Sequence, residues 1–518
     1  MTAEQLVTKI DEYWNQDDGD IVDVYKSIMQ YEQNAERYKK DHATKLCRDL
    51  LRIISSGTPK EFHFFLSAIV EITGNLEVFQ ELIRLCAIDS SLSKEQRYFA
   101  YCQLLFYKFT HPEVNCKAVV DLLDELYGTI YDAYFNEIKG LYKKIPKEER
   151  NEEFVIVMTS QVLSMEHGPT KTLLDRCYIM AERLHKKIYI INTADTLPDD
   201  SPILWYNAHK GNYDAALNEK EYLTYKNFEF PFFQCPDGAP DVSVIREILQ
   251  IVAEEKPWCI VSIGGENITA DLCSQIVPVL SVTLGPSERT QCRTTFQMTG
   301  HRMDEDDIQW IQRNHLPKDH LIEGLFTSAF KEQKHVYDRK QLGLPEGKTM
   351  CLVVGGRLDQ EVSDEFISLL DRLAKDDIYT VFMGRLNDFD KICLENSEEF
   401  RKHMINLGFQ EDALAIYECC DIYLNPKRLG GGTSGAEALY KGLPVLTHNY
   451  GDVAIGVGEE FWVRDYEEMY AETIKLAQDQ EYYKNKSEKA KKRAAALMDS
   501  ETEFVRIIRE MESRESFF

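Results

Sequence analysis

Residues 425–447 read NPKRLGGGTSGAEALYKGLPVLT. An apolar run, residues 421–425 (DIYLN), leads into Gly430, Gly431 and Gly432. Two hydroxyls follow, Thr433 and Ser434, and a helix is predicted to open across residues 435–439. A second short strand, residues 443–447 (LPVLT), ends the unit. Glycine lets a backbone come close to a ligand. A helix start presents free N–H groups and a positive dipole end, which attract an anion. The hydroxyls add donors, and Glu437 one turn further on suits a ribose diol. A glycine-rich turn alone is common. The ordered succession of strand, glycines, hydroxyls, acid and second strand is what points to phosphate and ribose.

These residues resemble the donor-binding segment of glycosyltransferases with the two-domain GT-B fold. Residues 437–445 (EALYKGLPV) match the second half of the pattern E-A-x-A-x-G-x-P-V of the large retaining family. Leu429 stands where those enzymes carry Glu. The run from Gly432 to Glu437 is similar to the H-T-T-x-x-D kind of the O-GlcNAc transferase type and the bacterial protein N-glucosyltransferases, which are inverting. The resemblance implies that Gly430, Gly431, Gly432, Thr433 and Ser434 hold the distal phosphate of UDP and Glu437 the ribose. It extends to residues 350–358 (MCLVVGGRL), whose Arg357 would meet the diphosphate; Val362 replaces a Lys common there. The loop at Gly408 and Phe409 would read the base. Lys427 or Arg428 would add positive charge for departing UDP, or else lie on the surface.

The predicted fold class is α/β: GT-B, two Rossmann-like domains facing a cleft, preceded by an all-α domain. With 518 residues the chain has length for several domains. Residues 1–150 carry apolar positions at helical spacing, as in Phe62, Phe65, Leu66, Ile69 and Ile72. They read as helices without a clean repeat period. Residues 151–325 alternate strands and helices, which means a parallel doubly wound sheet on the acceptor side. Residues 326–480 form the donor half. Residues 481–518 are one or two long helices expected to pack back onto residues 151–325.

A net charge of −27 disfavours nucleic acid, which needs clustered Lys and Arg, and an anionic membrane. It tilts the acceptor towards something soluble, a protein or peptide. Residues 484–493 (KNKSEKAKKR) form the one basic cluster, read as a solvated helix face. No apolar run is long enough to span a membrane. Thirteen cysteines without a C-x-x-C pair suggest a reduced, cytoplasmic protein. The helical domain suits acceptor binding or oligomerisation equally.

Ligands of such sheets bind beyond the carboxyl ends of strands. The loop after the strand at 154–158 holds Glu166, His167 and Thr170. His167 is the candidate base for an inverting transfer, since His has a suitable pKa; Glu166 competes, and Thr170 is a candidate helix cap. Glu166 and Thr170, with Gly265 and Glu266, and His301 after another strand, are the cleft-facing candidates for acceptor binding. The acidic run Asp304 to Asp307 reads as a solvated helix start, and no metal is expected; the only small molecule implied is the UDP-sugar donor. Transfer to polysaccharide or lipid-linked glycan, a UDP-sugar 2-epimerase and a catalytically dead binding or chaperone subunit are the alternatives.

Overall fold

The structure is a computed structural model. It describes residues 1–518 except 16–19, 33–39, 55–61, 166, 195–202, 207–212, 237, 239, 288, 328–331 and 515–518. Glu166 therefore lies outside the described residues.

The first part is helical: α1 (Ala3–Asn15), α2 (Ile21–Glu32), α3 (Lys40–Ile54), α4 (Phe62–Thr73), α5 (Leu76–Ile88), α6 (Lys94–Thr110) and α7 (Lys117–Ile138). The starts follow the sequence. Asn75 accepts from Val78 N (3.1 Å) ahead of α5, and Ser93 with Gln96 forms a capping box ahead of α6. The stripe at Phe65, Leu66, Ile69 and Ile72 is buried.

Next come β1 (Asn151–Thr159), α8 (Gly168–Leu184), β2 (Lys187–Asn192), β3 (Tyr222–Tyr225), β4 (Phe228–Gln234), α9 (Val242–Glu255), β5 (Pro257–Ile263), α10 (Ile268–Cys273), β6 (Val279–Val282), β7 (Phe296–Thr299), α11 (Glu305–Arg313) and β8 (Leu321–Glu323). The eight strands form one sheet in the order β3-β4-β2-β1-β5-β6-β7-β8. All neighbours run parallel except β3, which pairs antiparallel with β4. Residues 154–158 of β1 and most of β5 are apolar runs because both faces of a parallel sheet are covered there.

The second sheet is built from β9 (Met350–Gly355), α12 (Leu358–Glu361), α13 (Asp364–Lys375), β10 (Tyr379–Gly384), α14 (Phe389–Glu395), α15 (Glu398–His403), β11 (Met404–Asn406), α16 (Ala413–Tyr417), β12 (Ile422–Leu424), α17 (Gly432–Tyr440), β13 (Val445–His448), α18 (Gly451–Val457), β14 (Trp462–Val463) and α19 (Tyr466–Gln478). Its order is β11-β10-β9-β12-β13-β14, all parallel. The tail is α20 (Gln480–Met498) and α21 (Ser500–Arg514).

One apolar core joins the helical part to the first sheet, running from Leu6 and Phe79 through Leu123 to Ile156 and Ile260. Its seam is stitched by tyrosines: Tyr98 donates to Glu266 O (2.8 Å), Tyr127 to Asp271 (2.8 Å) and Tyr134 to Pro240 O (2.8 Å). The other face of that sheet packs on α8 and α21. The tail expectation thus needs correction: α20 stays on the second sheet's side, against α17, and only α21 crosses back. Phe504, Ile507, Ile508 and Met511 supply the reason, each buried and each stabilising by about 1.5–3 kcal/mol. The basic cluster is mostly the exposed face expected, with Lys484, Lys489, Lys491 and Lys492 open to solvent, but its last residue is engaged. Arg493 donates to Gly456 O (2.8 Å) and Ile455 O (3.2 Å) at the C-terminal end of α18, where a cation is favoured.

Candidate active site

The glycine run leaves β12 and turns at Gly431, whose φ of +96° is left-handed. A Cβ there would fall 2.6 Å from the Arg428 guanidinium. Arg428 is buried and holds the loop from behind. It donates to Asn425 Oδ1 (2.8 Å), Glu361 Oε2 (2.7 Å), Val354 O (2.8 Å) and the Tyr423 hydroxyl (3.0 Å). Of the two candidate cations, then, Arg428 is internal, while Lys427 is exposed with its ammonium 5.4 Å from the Tyr450 ring. Leu429 is buried. Arg357 follows β9 and precedes α12; its guanidinium bonds Glu361 Oε1 (3.0 Å) and reaches to within 3.2 Å of where a Cβ on Gly430 would sit.

The two hydroxyls part company. Thr433 is exposed on the cleft. Ser434 turns inward, its Oγ donating to Gly431 O (2.8 Å) and sitting 2.8 Å from the Tyr423 hydroxyl. Ser434 therefore stiffens the turn rather than facing a ligand. Glu437 lies on the cleft beside buried Tyr417. Burial first, then the Glu437 carboxylate, holds the Tyr417 hydroxyl well above its ordinary pKa, so it remains a donor.

The facing wall is the start of α8. His167 is the residue before the helix, and its Nδ1 is 2.9 Å from Thr170 Oγ1. Thr170 is not the cap expected. It is buried in the first turn, where its Oγ1 accepts from Leu163 N (3.0 Å) and fixes the His167 ring. Burial, and then the Lys171 ammonium, hold the His167 imidazole below its usual pKa. A neutral imidazole can take a proton. Between the walls lies a cleft of ≈ 210 Å³ lined by Gly168, Lys171, Asp175, Phe409, Thr433 and Glu437, among others. Phe409 is 74% exposed, an apolar ring left open on the rim.

Three expected cleft residues have other employment. Glu266 is buried; its Oε1 accepts from Gln291 N (3.1 Å) and its backbone O from Tyr98. Gly265 packs against Thr290, which a Cβ would meet at 2.5 Å. His301 is clamped between two acceptors, Pro286 O (3.0 Å) and Asp307 Oδ2 (3.0 Å). Burial is the largest influence and opposes its charge, but the hydrogen bond and charge of Asp307, with Pro286 O and Asp304, together raise the pKa. These two contacts anchor the loop through His301. The adjacent Ser287 donates to Asp452 Oδ1 (2.6 Å) across the cleft, directly beneath Gly432. His301, Asp304 and Asp307 do place ligand atoms within 4.8 Å of one another. Asp304 caps α11, and Asp307 takes His301 and Arg289 (2.7 Å), so the cluster is already an ion-pair network.

Sequence reasoning gave no role to Lys171, Asp175 and Arg176. Their signal was spacing: 168, 171, 172, 175 and 176 share one face of α8. Arg176 is buried, donating to Asp175 Oδ2 (2.8 Å) and Thr327 O (2.9 Å).

Two doubly wound parallel sheets facing one cleft, with a glycine turn on one wall, define the GT-B class. Residues 337–494 match the family model of glycosyl transferases group 1. The chain has the GT-B fold, and its second half carries a domain of that glycosyl transferase family. It is similar to a point mutant of Thermobaculum terrenum O-GlcNAc transferase, at 12% identity, TM-score 0.56, over 99% of this chain and 98% of that one. Weaker likenesses are a Rickettsia africae glycosyltransferase (10%, 0.48, 70% of this chain, 98% of that one) and Anabaena HepE in complex with UDP (12%, 0.46, 71% and 100%). No curated protein matches the sequence. Among the described residues no helix is long and apolar enough to cross a membrane.

Proposed function

We propose that the protein transfers a hexose or N-acetylhexosamine from a UDP-sugar to a soluble acceptor, a protein or peptide. The carrying observation is one cleft with Thr433 and Glu437 of α17 on one wall and the start of α8, Gly168 and Lys171, on the other; His167, its pKa lowered, immediately precedes Gly168. The acceptor's nucleophilic O–H or N–H attacks the anomeric carbon as the bond to the diphosphate breaks. His167 takes the proton released. The first N–H groups of α17 and the Arg357 guanidinium take up the charge developing on departing UDP. Glu437 holds the ribose diol, and the backbone around Phe409 meets the base. That the donor is UDP-linked rests on the likeness of residues 432–437 to the inverting transferases.

A calorimetric panel of UDP, GDP, ADP and UDP-sugars, followed by UDP release from the sugar that binds, tests this. UDP binding with slow hydrolysis of one UDP-sugar supports it. Failure of every nucleotide to bind overturns it.

A further inference from the structure

The α6–α7 connection reaches past the first sheet to the glycine turn of the second. Phe109, the penultimate residue of α6, lies under Arg357, whose guanidinium carbon is 4.7 Å from the ring centroid. The same ring edge comes within 3.2 Å of where a Cβ on Gly430 would stand. Six residues on, Asn115 Nδ2 donates to the Tyr450 hydroxyl (3.1 Å), just ahead of α18. Phe109, Thr110 and Pro112 enclose a gap of only ≈ 20 Å³ with Arg357, Glu361 and Lys427, room for about one water.

We propose that Phe109 is a positioning residue for donor binding: the helical domain supplies the aromatic face that holds Arg357 over the glycine turn, where the diphosphate of the donor is received. Glu361 alone would not place Arg357 there. Its carboxylate is shared, Oε2 taking buried Arg428 and Oε1 taking Arg357. Without a second support the long Arg357 side chain would fold down along α12 onto Glu361. The ring face fixes the guanidinium plane from the opposite side and leaves its other edge for phosphate oxygens. Gly430 then needs no side chain because ring and guanidinium fill that space. The inference rests on the donor site proposed above.

The test is UDP affinity by calorimetry, and the donor KM and kcat, for wild type, Phe109→Leu, Phe109→Tyr, Arg357→Ala and the Phe109→Leu/Arg357→Ala pair. Leu keeps the apolar packing and removes the π face; equal thermal midpoints show that the variants fold. Phe109→Leu should weaken UDP and raise the donor KM about three- to tenfold, with kcat falling as well because Arg357 also meets the charge on departing UDP. Phe109→Tyr should restore all three. In the Arg357→Ala background Phe109→Leu should add nothing. Unchanged affinity in Phe109→Leu overturns the proposal, as does an equal loss with or without Arg357. If wild type binds no UDP, the donor-site reading itself fails.

Discussion

Gly431 is the residue on which the phosphate turn depends. Its left-handed φ and the closeness of Arg428 leave no place for a Cβ. Gly431→Ala should cost on the order of 1–3 kcal/mol and lower the thermal midpoint, with UDP affinity falling in the same sample. Glu437→Ala should leave that midpoint nearly unchanged and weaken UDP about tenfold; equal affinity by calorimetry would remove the ribose role. His167→Ala should reduce kcat about 10²- to 10⁴-fold while the donor KM holds. Since the His167 pKa is lowered, the rate should rise with pH below its ordinary value near 6.5 and be level above it. A profile still climbing at pH 8 would assign the base elsewhere.

At the scale of elements, the sequence shows the strands that are buried on both faces. Residues 187–192 are predicted and found as β2, and the strand predicted at residues 154–158 falls within β1. The hairpin of β3 and β4 escapes it. Its two-residue turn is Lys226-Asn227, with Lys226 rather than Gly at φ +53°, and Pro231 interrupts β4; either feature argues against a strand. Site residues divide the same way. The order of glycines, Thr433 and Glu437 is readable locally. That Ser434 and Glu266 face inward depends on Tyr423 and Tyr98, which spacing cannot bring near. Phe109 is likewise invisible beside Arg357 until the chain is folded. For α21, deleting residues 500–518 should strip α8 of its apolar cover. The truncated protein should bind ANS and melt lower, whereas α20 remains docked.

Taken whole, the helical part is not an appendage. It shares one core with the first sheet, so a chain beginning at residue 151 should be aggregation-prone when its sedimentation is compared with the full chain. The same junction carries a titrating group. Asp271 Oδ2 takes Tyr127 and Arg293 N (2.7 Å), while Oδ1 has no hydrogen-bond partner among the described residues. Burial pushes its pKa to about 7 from an ordinary 3.8. The native state therefore holds a proton that the unfolded chain releases. This contribution is full below about pH 4, and on the order of 4 kcal/mol is lost as pH rises through 7. Asp271→Asn should flatten that fall in urea titrations at pH 5, 7 and 8; an unchanged slope would exclude Asp271 as its source.

The chain passes between the two sheets twice, once after β8 and again between α20 and α21. A body tethered to another at two points keeps one easy motion, a swing about the line through both. Such a swing would break the contacts that cross between the bodies, Ser287 with Asp452 and Asn115 with Tyr450.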